Sequence, residues 1–424
     1  MKSPILNTVM LFLIIFLGSS CSKEDIPSFR TNEDGEFISL PYIWKKGLHK
    51  SSPEYFGFLK FPIYFNQNPV IPMTNGGSGR SLAMLNQENG EIIWEWDDRF
   101  VYETEEILMG KHHQDKNLLL HTAGSRIYCM NLETGKTQWR NRSDRSFWSH
   151  VYGKDSDFYL FGRSDAFPDS IDQLIVFKGD MHPGKIEEYL TPDFSGDHLY
   201  GGKSIGSVTA AVPYDFDDKE HLIVIWQEGI SGYNLQSYLG LWDKTNNKWI
   251  YEKSIIVEPS LNGTLLNPPV VHEGRVYLAV GFELACHDIR TGTQEWKRRF
   301  DGETFFSNFL IEEGKLVVNN EDQFVYCLDP ISGTQLWKTR GSGTSSYMSY
   351  LNGVVYFVGG ATGNLHAIDI VSGKTVWKID INQLGEKGDR FRTSAVYIIP
   401  GQNNKKGKVI ALGGLNAYCF EAYR

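Results

Sequence analysis

The nine residues Asp369-Ile370-Val371-Ser372-Gly373-Lys374-Thr375-Val376-Trp377 decide how this chain folds, because the chain writes them again. Asp329 to Trp337 reads Asp-Pro-Ile-Ser-Gly-Thr-Gln-Leu-Trp, and Asp288 to Trp296 reads Asp-Ile-Arg-Thr-Gly-Thr-Gln-Glu-Trp. Upstream, Asn131 to Trp139 and Asn86 to Trp94 keep the frame, with Gly135 and Gly90 at the fifth position. Two degenerate copies fill the gap. Asp180 to Glu188 keeps Gly184 and is followed by Tyr189, and Asp243 to Tyr251 has Asn247 in place of Gly and Tyr251 in place of Trp.

The frame has a mechanical meaning. A leading Asp or Asn can hydrogen-bond the backbone two residues on, and Gly or Asn can take the positive φ that a hairpin turn requires. Each copy therefore predicts a strand, a tight turn and a second strand carrying Trp. Asn364 to Asp369 alternates in polarity before the turn, and Gly353 to Val358 supplies an earlier apolar run. Period-two patterning with Gly-rich joints predicts antiparallel strands and leaves no amphipathic helix in competition.

Spacing fixes the architecture. The fifth positions Gly90, Gly135, Gly184, Asn247, Gly292, Gly333 and Gly373 lie 45, 49, 63, 45, 41 and 40 residues apart. Each interval holds one four-stranded antiparallel blade, and such blades close into propellers. After the last turn, Thr393 to Ile398, Lys408 to Gly413 and Asn416 to Ala422 give three more strands without a fourth. The strand Phe37 to Lys46, which contains Trp44 and has no blade of its own, is expected to complete the ring. The prediction is an all-β, eight-bladed β-propeller over residues 36–424, with seven blades as the fallback.

With these residues in view, the frame Asp-x-x-Thr/Ser-Gly-x-x-x-Trp resembles the tryptophan-docking repeat of pyrroloquinoline-quinone-binding-like propellers, from about Glu36 to Arg424. That family includes quinoprotein dehydrogenases and the propeller lipoprotein of the outer-membrane β-barrel assembly machinery. The resemblance implies that Trp94, Trp139, Trp296, Trp337 and Trp377 pack between neighbouring blades, with Gly90, Gly135, Gly292, Gly333 and Gly373 in the turns. It does not fix a function, since propellers host unrelated activities.

The N-terminal end carries its own signals. Lys2 is followed by the apolar run Val9 to Leu17 and by Gly18-Ser19-Ser20-Cys21. The run is too short to span a bilayer and reads as a secretory signal, residues 1–20. Small residues leading into Cys21 resemble the lipobox of bacterial lipoproteins, although Gly18 stands where that family usually has Leu. Cys21 is then the lipidation site, and residues 21–35 form a polar tether. Ser22-Lys23-Glu24-Asp25 resembles the Lys-acidic tag that exports some Bacteroidota lipoproteins, which favours the cell surface over the periplasmic face of the outer membrane. Asp169-Ser170-Ile171 fits the short O-glycosylation acceptor of the same phylum, a pattern short enough to recur by chance.

A net charge of -9 argues against a nucleic-acid partner, which needs clustered Lys and Arg. A quinoprotein dehydrogenase, the alternative reading, would need pyrroloquinoline quinone, a calcium ligated by Glu, Asn and Asp, a catalytic Asp and often a disulfide between adjacent cysteines. No adjacent pair exists here. Cys129, Cys286 and Cys327 each lie two residues before the frame, where other blades place Met84, Leu241 and Ala367, and Cys419 occupies the matching strand of the last blade. Cysteines interchangeable with apolar residues read as core. His112-His113 reads as a solvated hairpin tip, Asp215, Asp217, Asp218 and Glu220 as a charged turn before the strand His221 to Gln227, and Asn75 to Arg80 as a β-turn. No metal, cofactor or catalytic residue is nominated.

Binding, if any, is expected in the insertions. The 63-residue interval brings Phe194 to Tyr200, and the stretch after Trp139 brings Asp144, Arg145, Phe147 and Trp148. The favoured reading is a non-catalytic outer-membrane lipoprotein. It would anchor in the membrane through lipid and bind or scaffold a protein partner or surface ligand, without cofactor.

Overall fold

The computed structural model describes residues 29–31, 37–38, 41–48, 61–74, 80–96, 112–123, 126–142, 151–163, 174–192, 208–230, 234–256, 267–302, 308–386, 388–403 and 405–424. Its strands form eight antiparallel sheets, each a blade of a closed propeller. Blade 1 runs from Ile63 to Trp96, blade 2 from His112 to Arg142, blade 3 from Tyr152 to Leu190 and blade 4 from Val208 to Ile255. Blade 5 runs from Val270 to Arg299, blade 6 from Phe309 to Arg340 and blade 7 from Ser349 to Ile379. Strands within each blade pair in sequence order, from inner to outer.

Blade 8 takes its inner three strands from the C-terminal segment, Tyr397–Ile399, Lys408–Leu412 and Asn416–Glu421, and its outer strand from Trp44–Gly47. Trp44 pairs with Cys419 and Gly47 with Asn416. The expected closure is present, but the closing strand is shorter than Phe37 to Lys46. Phe37–Ile38 pairs instead with Phe29–Thr31, which adds to the outer strand of blade 7 through Phe29 beside Lys378 and Arg30 beside Trp377. Blade 7 is thus six-stranded, and chain expected to be polar tether enters its sheet. The reason is local: an outer strand leaves one row of backbone donors and acceptors open, and a nearby extended segment satisfies it.

Both faces of a blade are buried because each is clamped between two others. Along Val354–Gly359 of blade 7, Tyr356 and Val358 pack toward blade 8 with Tyr418 and Phe420, whereas Val355 and Phe357 pack toward blade 6 with Val317 and Val325. Period two therefore produces a wholly buried strand. Each such side chain removed from water contributes about 1.5–3 kcal/mol before the entropy of ordering is counted.

The 63-residue interval is explained in part by strand length. Blade 4 contains Lys219–Ile230 and Asn234–Asp243, of 12 and 10 residues. Among the described residues the one helical element is a short 3-10 turn, Ile381–Leu384, between blades 7 and 8.

Candidate functional site

An antiparallel blade alternates its joints between two faces. Turns joining first to second and third to fourth strands lie on one face, called here the turn face. Loops joining second to third strands, and connections between blades, lie on the other, the connection face.

The nine-residue frame builds the turn face. In blade 6, Asp329 Oδ1 accepts from the amides of Ile331 at 3.0 Å and Ser332 at 2.7 Å, and the Gly333 amide donates to Asp329 O at 2.8 Å. The frame glycines hold φ between 65 and 73°, and Asn247 holds 52°. A bulge at the eighth position brings Trp of the frame opposite the residue two before its Asp, as Trp337 opposite Cys327.

Each docking ring then reaches the next blade. Trp44 Nε1 donates to Gln87 O at 3.0 Å, Trp94 to Leu132 O at 2.8 Å, Trp139 to Met181 O at 2.5 Å, Trp296 to Pro330 O at 3.0 Å and Trp337 to Ile370 O at 3.0 Å. Tyr251 does the same through its hydroxyl, to Ile289 O at 2.7 Å. The acceptor is always the second frame residue of the following blade. The ring lies on that blade's glycine: a Cβ on Gly90, Gly135, Gly184, Gly292, Gly333 or Gly373 would come within 2.5–2.8 Å of the preceding blade's ring. Glycine is needed there twice, for φ and for the ring above it.

Trp377 departs from this pattern. Blade 8 has no hairpin between its third and outer strands, so no frame carbonyl faces the indole. Trp377 is wholly buried with Tyr356 and Phe420 around it, and among the described residues its Nε1 has no hydrogen-bond partner. Blade 3 also departs, because its bulge falls on Tyr189 and leaves no Trp in place.

The four described cysteines are buried and free. Each sits opposite a docking ring, Cys129 to Trp139, Cys286 to Trp296, Cys327 to Trp337 and Cys419 to Trp44. Desolvation pushes the thiols of Cys129, Cys286 and Cys419 up to about 12 and that of Cys327 to about 11.

His112 and His113 are not at a hairpin tip. They lie in the inner strand of blade 2, half-buried, because its backbone pairs with Leu120 and His121. His113 Nε2 reaches Asp155 O of blade 3 at 3.0 Å, while His112 meets the edge of Phe61 at 6.1 Å. Phe61 also stacks on Tyr347, which leads into blade 7, at 4.5 Å. Tyr152 of blade 3 lies close enough to Tyr347 to help burial raise that phenol well above its usual range. Blade 3 and blade 7 stand opposite each other in an eight-membered ring. These side chains therefore converge on the central axis and occupy it.

The acidic cluster is a hairpin turn, as its sequence implied, with Asp217 and Asp218 at φ 51 and 55°. Three of its four carboxylates are engaged by cations: Asp215 by Lys154, Asp217 by Arg290 at 2.9 Å and Glu220 by Lys244 at 2.8 Å. Cys21, Ser170, residues 75–79, Asp144, Arg145, Phe147, Trp148 and Phe194 to Tyr200 lie outside the described residues.

A cavity of about 650 Å³ opens on the connection face between blades 6, 7 and 8. One wall is Glu321 and Thr344, joined by Glu321 Oε2 accepting from the Thr344 amide at 2.9 Å and hydroxyl at 3.1 Å. The floor passes Gly360, and the far wall is the strap Arg390-Phe391-Arg392-Thr393. Asp389 fixes that strap. Its buried carboxylate accepts from the amides of Leu415 at 3.0 Å and Asn416 at 3.2 Å and from Tyr418 OH at 2.9 Å.

Sequence reasoning missed this site because it is assembled from three blades with intervals of ordinary length. The available signal was the 17-residue stretch Asp380 to Val396, too long for a simple connection, with Arg-Phe-Arg near its end.

A family model described as outer membrane protein assembly factor BamB matches residues 228–422. The chain superposes on BamB from Moraxella catarrhalis with a TM-score of 0.53 and 12% identity, covering 91% of this chain and 98% of that one. The chain folds as a β-propeller, and its repeat is similar to that of the pyrroloquinoline-quinone-like propellers. This propeller also resembles a europium-containing methanol dehydrogenase, with a TM-score of 0.61, 10% identity and coverage of 90% and 93%. Sqt1 of Saccharomyces cerevisiae matches with a TM-score of 0.57, 9% identity and coverage of 91% and 100%. At such identities the likeness concerns the fold. No curated protein sequence matches the chain.

The axis is filled by Phe61, His112, Tyr152 and Tyr347, and among the described residues no three His, Cys, Asp or Glu side chains converge to hold a metal.

Proposed function

We propose that this propeller is a non-catalytic binding or scaffolding lipoprotein, held at the outer membrane by lipid on Cys21 and facing the cell surface. It would engage a protein partner or surface ligand on its connection face. The observation that carries this reading is the cavity between blades 6, 7 and 8, whose walls are fixed by protein hydrogen bonds. Aromatic side chains on the axis favour the same reading over a quinoprotein dehydrogenase. The match to a family model named for an outer membrane protein assembly factor supports an envelope role.

The cheapest test is titration of the purified protein with pyrroloquinoline quinone and calcium, followed by a dye-linked assay on alcohols and sugars. No saturable binding and no turnover are expected. Saturable quinone binding with dehydrogenase turnover would replace the binding reading with the enzymatic one. Radiolabelled palmitate incorporated into the native chain but not into Cys21→Ala would support the anchor, and equal labelling would remove it.

A further inference from the structure

We infer that the connection-face rim of blades 7 and 8 lies against the lipid bilayer and that the turn face points away from it. This rests on the proposed lipid at Cys21 and names the surface which that lipid brings to the membrane.

The direction of one strand decides the side. The outer strand of blade 7, Thr375–Ile379, starts at the frame turn on the turn face and ends where the connection to blade 8 begins, on the opposite face. Phe29–Thr31 runs antiparallel to it, with Phe29 opposite Lys378 and Arg30 opposite Trp377. It therefore enters the sheet from the connection face and advances toward the turn face. The chain leading back to Cys21 departs on the connection face.

Its reach is short. Eight residue steps separate Phe29 from Cys21, and a fully extended chain covers at most about 26–29 Å in that number of steps. The three outermost hairpin-linked strands of blade 7 hold six, six and five residues, which makes the blade about 17–20 Å tall. Presenting the turn face to the bilayer would consume roughly two-thirds of the reach in doubling back along the blade. It would also carry the chain past an edge that Phe37–Ile38 already covers. Presenting the connection face consumes none of it.

The point of departure is fixed to the ring. The same N-terminal segment continues to Trp44–Gly47, the outer strand of blade 8, so it is paired into both blades. Tyr42 OH and Lys45 Nζ both donate to Glu386 Oε1, at 3.0 and 2.8 Å, which ties that segment to the connection between blades 7 and 8. A membrane held by the anchor is therefore held at this rim.

The rim is suited to lying on headgroups and not to entering the hydrocarbon. Its exposed residues, Ala361, Thr362, Asn382, Gln383 and Arg390, are small or polar. The exposed apolar tips Ile331 and Val371 stand at the third frame position of blades 6 and 7, on the turn face, and supply the rival arrangement in which those tips insert. The exit direction of Phe29 opposes it. The cavity between blades 6, 7 and 8 opens on the same face as the rim, so a partner engaged there stands at the bilayer surface.

The test uses the native lipidated chain in phosphatidylcholine and phosphatidylglycerol vesicles that carry a rhodamine headgroup acceptor. The four described cysteines are buried, so a cysteine introduced by Ala361→Cys or Val371→Cys takes a donor dye selectively. Both positions are exposed and belong to blade 7, the first on the connection face and the second on the turn face. Energy transfer should be about twofold stronger from position 361, because about 17–20 Å of blade height separates the two dyes. A Gly-Ser insertion of about a dozen residues after Asp25 should erase the difference by lengthening the tether. Equal or stronger transfer from position 371, or a difference that survives the insertion, would overturn the inference. Flotation separates this outcome from failure of the anchor. A native chain that does not float with vesicles removes the lipid reading and the inference together, whereas a native chain that floats, beside a Cys21→Ala chain that does not, leaves the lipid in place while equal transfer removes the orientation alone.

Discussion

The indole of Trp296 lies across Gly333 of the next blade while its Nε1 donates to Pro330 O at 3.0 Å. One ring thus reads both the acceptor and the missing side chain of its neighbour's turn. Gly333 holds φ at 68°, and a Cβ there would come within 2.8 Å of the Trp296 ring. Gly314 has a similar φ of 64° with nothing within 4 Å of its Cβ position. Gly314→Ala should therefore cost only the backbone strain, about 1 kcal/mol, whereas Gly333→Ala should cost roughly 2–4 kcal/mol because the ring must also move. Urea unfolding midpoints of the two variants decide it, and equal midpoints would remove the docking role of glycine.

Trp44 makes the same contact at the seam where an N-terminal strand completes blade 8. Its ring covers Gly90, its Nε1 donates to Gln87 O, and its strand covers the outer edge of Asn416–Glu421. Trp44→Ala should cost about 3–5 kcal/mol, and Trp139→Ala should cost a comparable amount. Only the first should also raise amide exchange across Asn416 to Glu421, since it loosens the strand that protects that edge. Exchange mass spectrometry of the two variants separates a seam from an ordinary blade contact.

Where the sequence was legible and where it was not follows from how far apart the interacting residues lie. The turn frame could be read because Asp329, Ser332 and Gly333 solve their problem within five residues, and the solution recurs. The second reason for Gly333, the Trp296 ring, is supplied by another blade and leaves no local mark. Closure by a strand around Trp44 could be found by counting strands, but its start was misplaced because Phe37 and Ile38 carry the same apolar signal while pairing on blade 7. His112 and His113 looked like a tip because a polar inner strand has no hydrophobic pattern. The cavity was hidden for the strongest version of this reason, since Glu321, Gly360 and Arg392 meet only after three blades are assembled.

The cysteines lead to a prediction on reactivity. With thiols pushed to about 11 or 12, almost no thiolate exists at pH 8, and each sulfur is covered by a docking ring. A Cys21→Ala variant should show no fast reaction with Ellman's reagent when folded and four equivalents in urea. Fewer than four equivalents after unfolding would mean that a bridge had formed, and fast native reaction would mean that the blades open easily.

His366 of blade 7 gives the propeller an acid sensitivity. Its ring is buried and stacked on Phe357 at 4.9 Å and 3°, and burial, with the charge of Lys378 adding, pushes the imidazole down to about 3. In the unfolded chain the same group titrates near 6.5. Between these values the unfolded state holds a proton that the folded state lacks, so stability is complete above pH 6.5 and falls as pH drops toward 3. Lowering pH from 6.5 to 4.5 should remove about 2 kcal/mol through this residue, and buried His287, also shifted down, should add in the same direction. His366→Phe keeps a ring against Phe357 and removes the titration. Urea midpoints measured at pH 7.5, 5.5 and 4.5 should fall less steeply in the variant than in the native protein, because only the native ring must take up a proton to unfold. Parallel curves would mean that the imidazole is protonated in the fold and that blade 7 admits water.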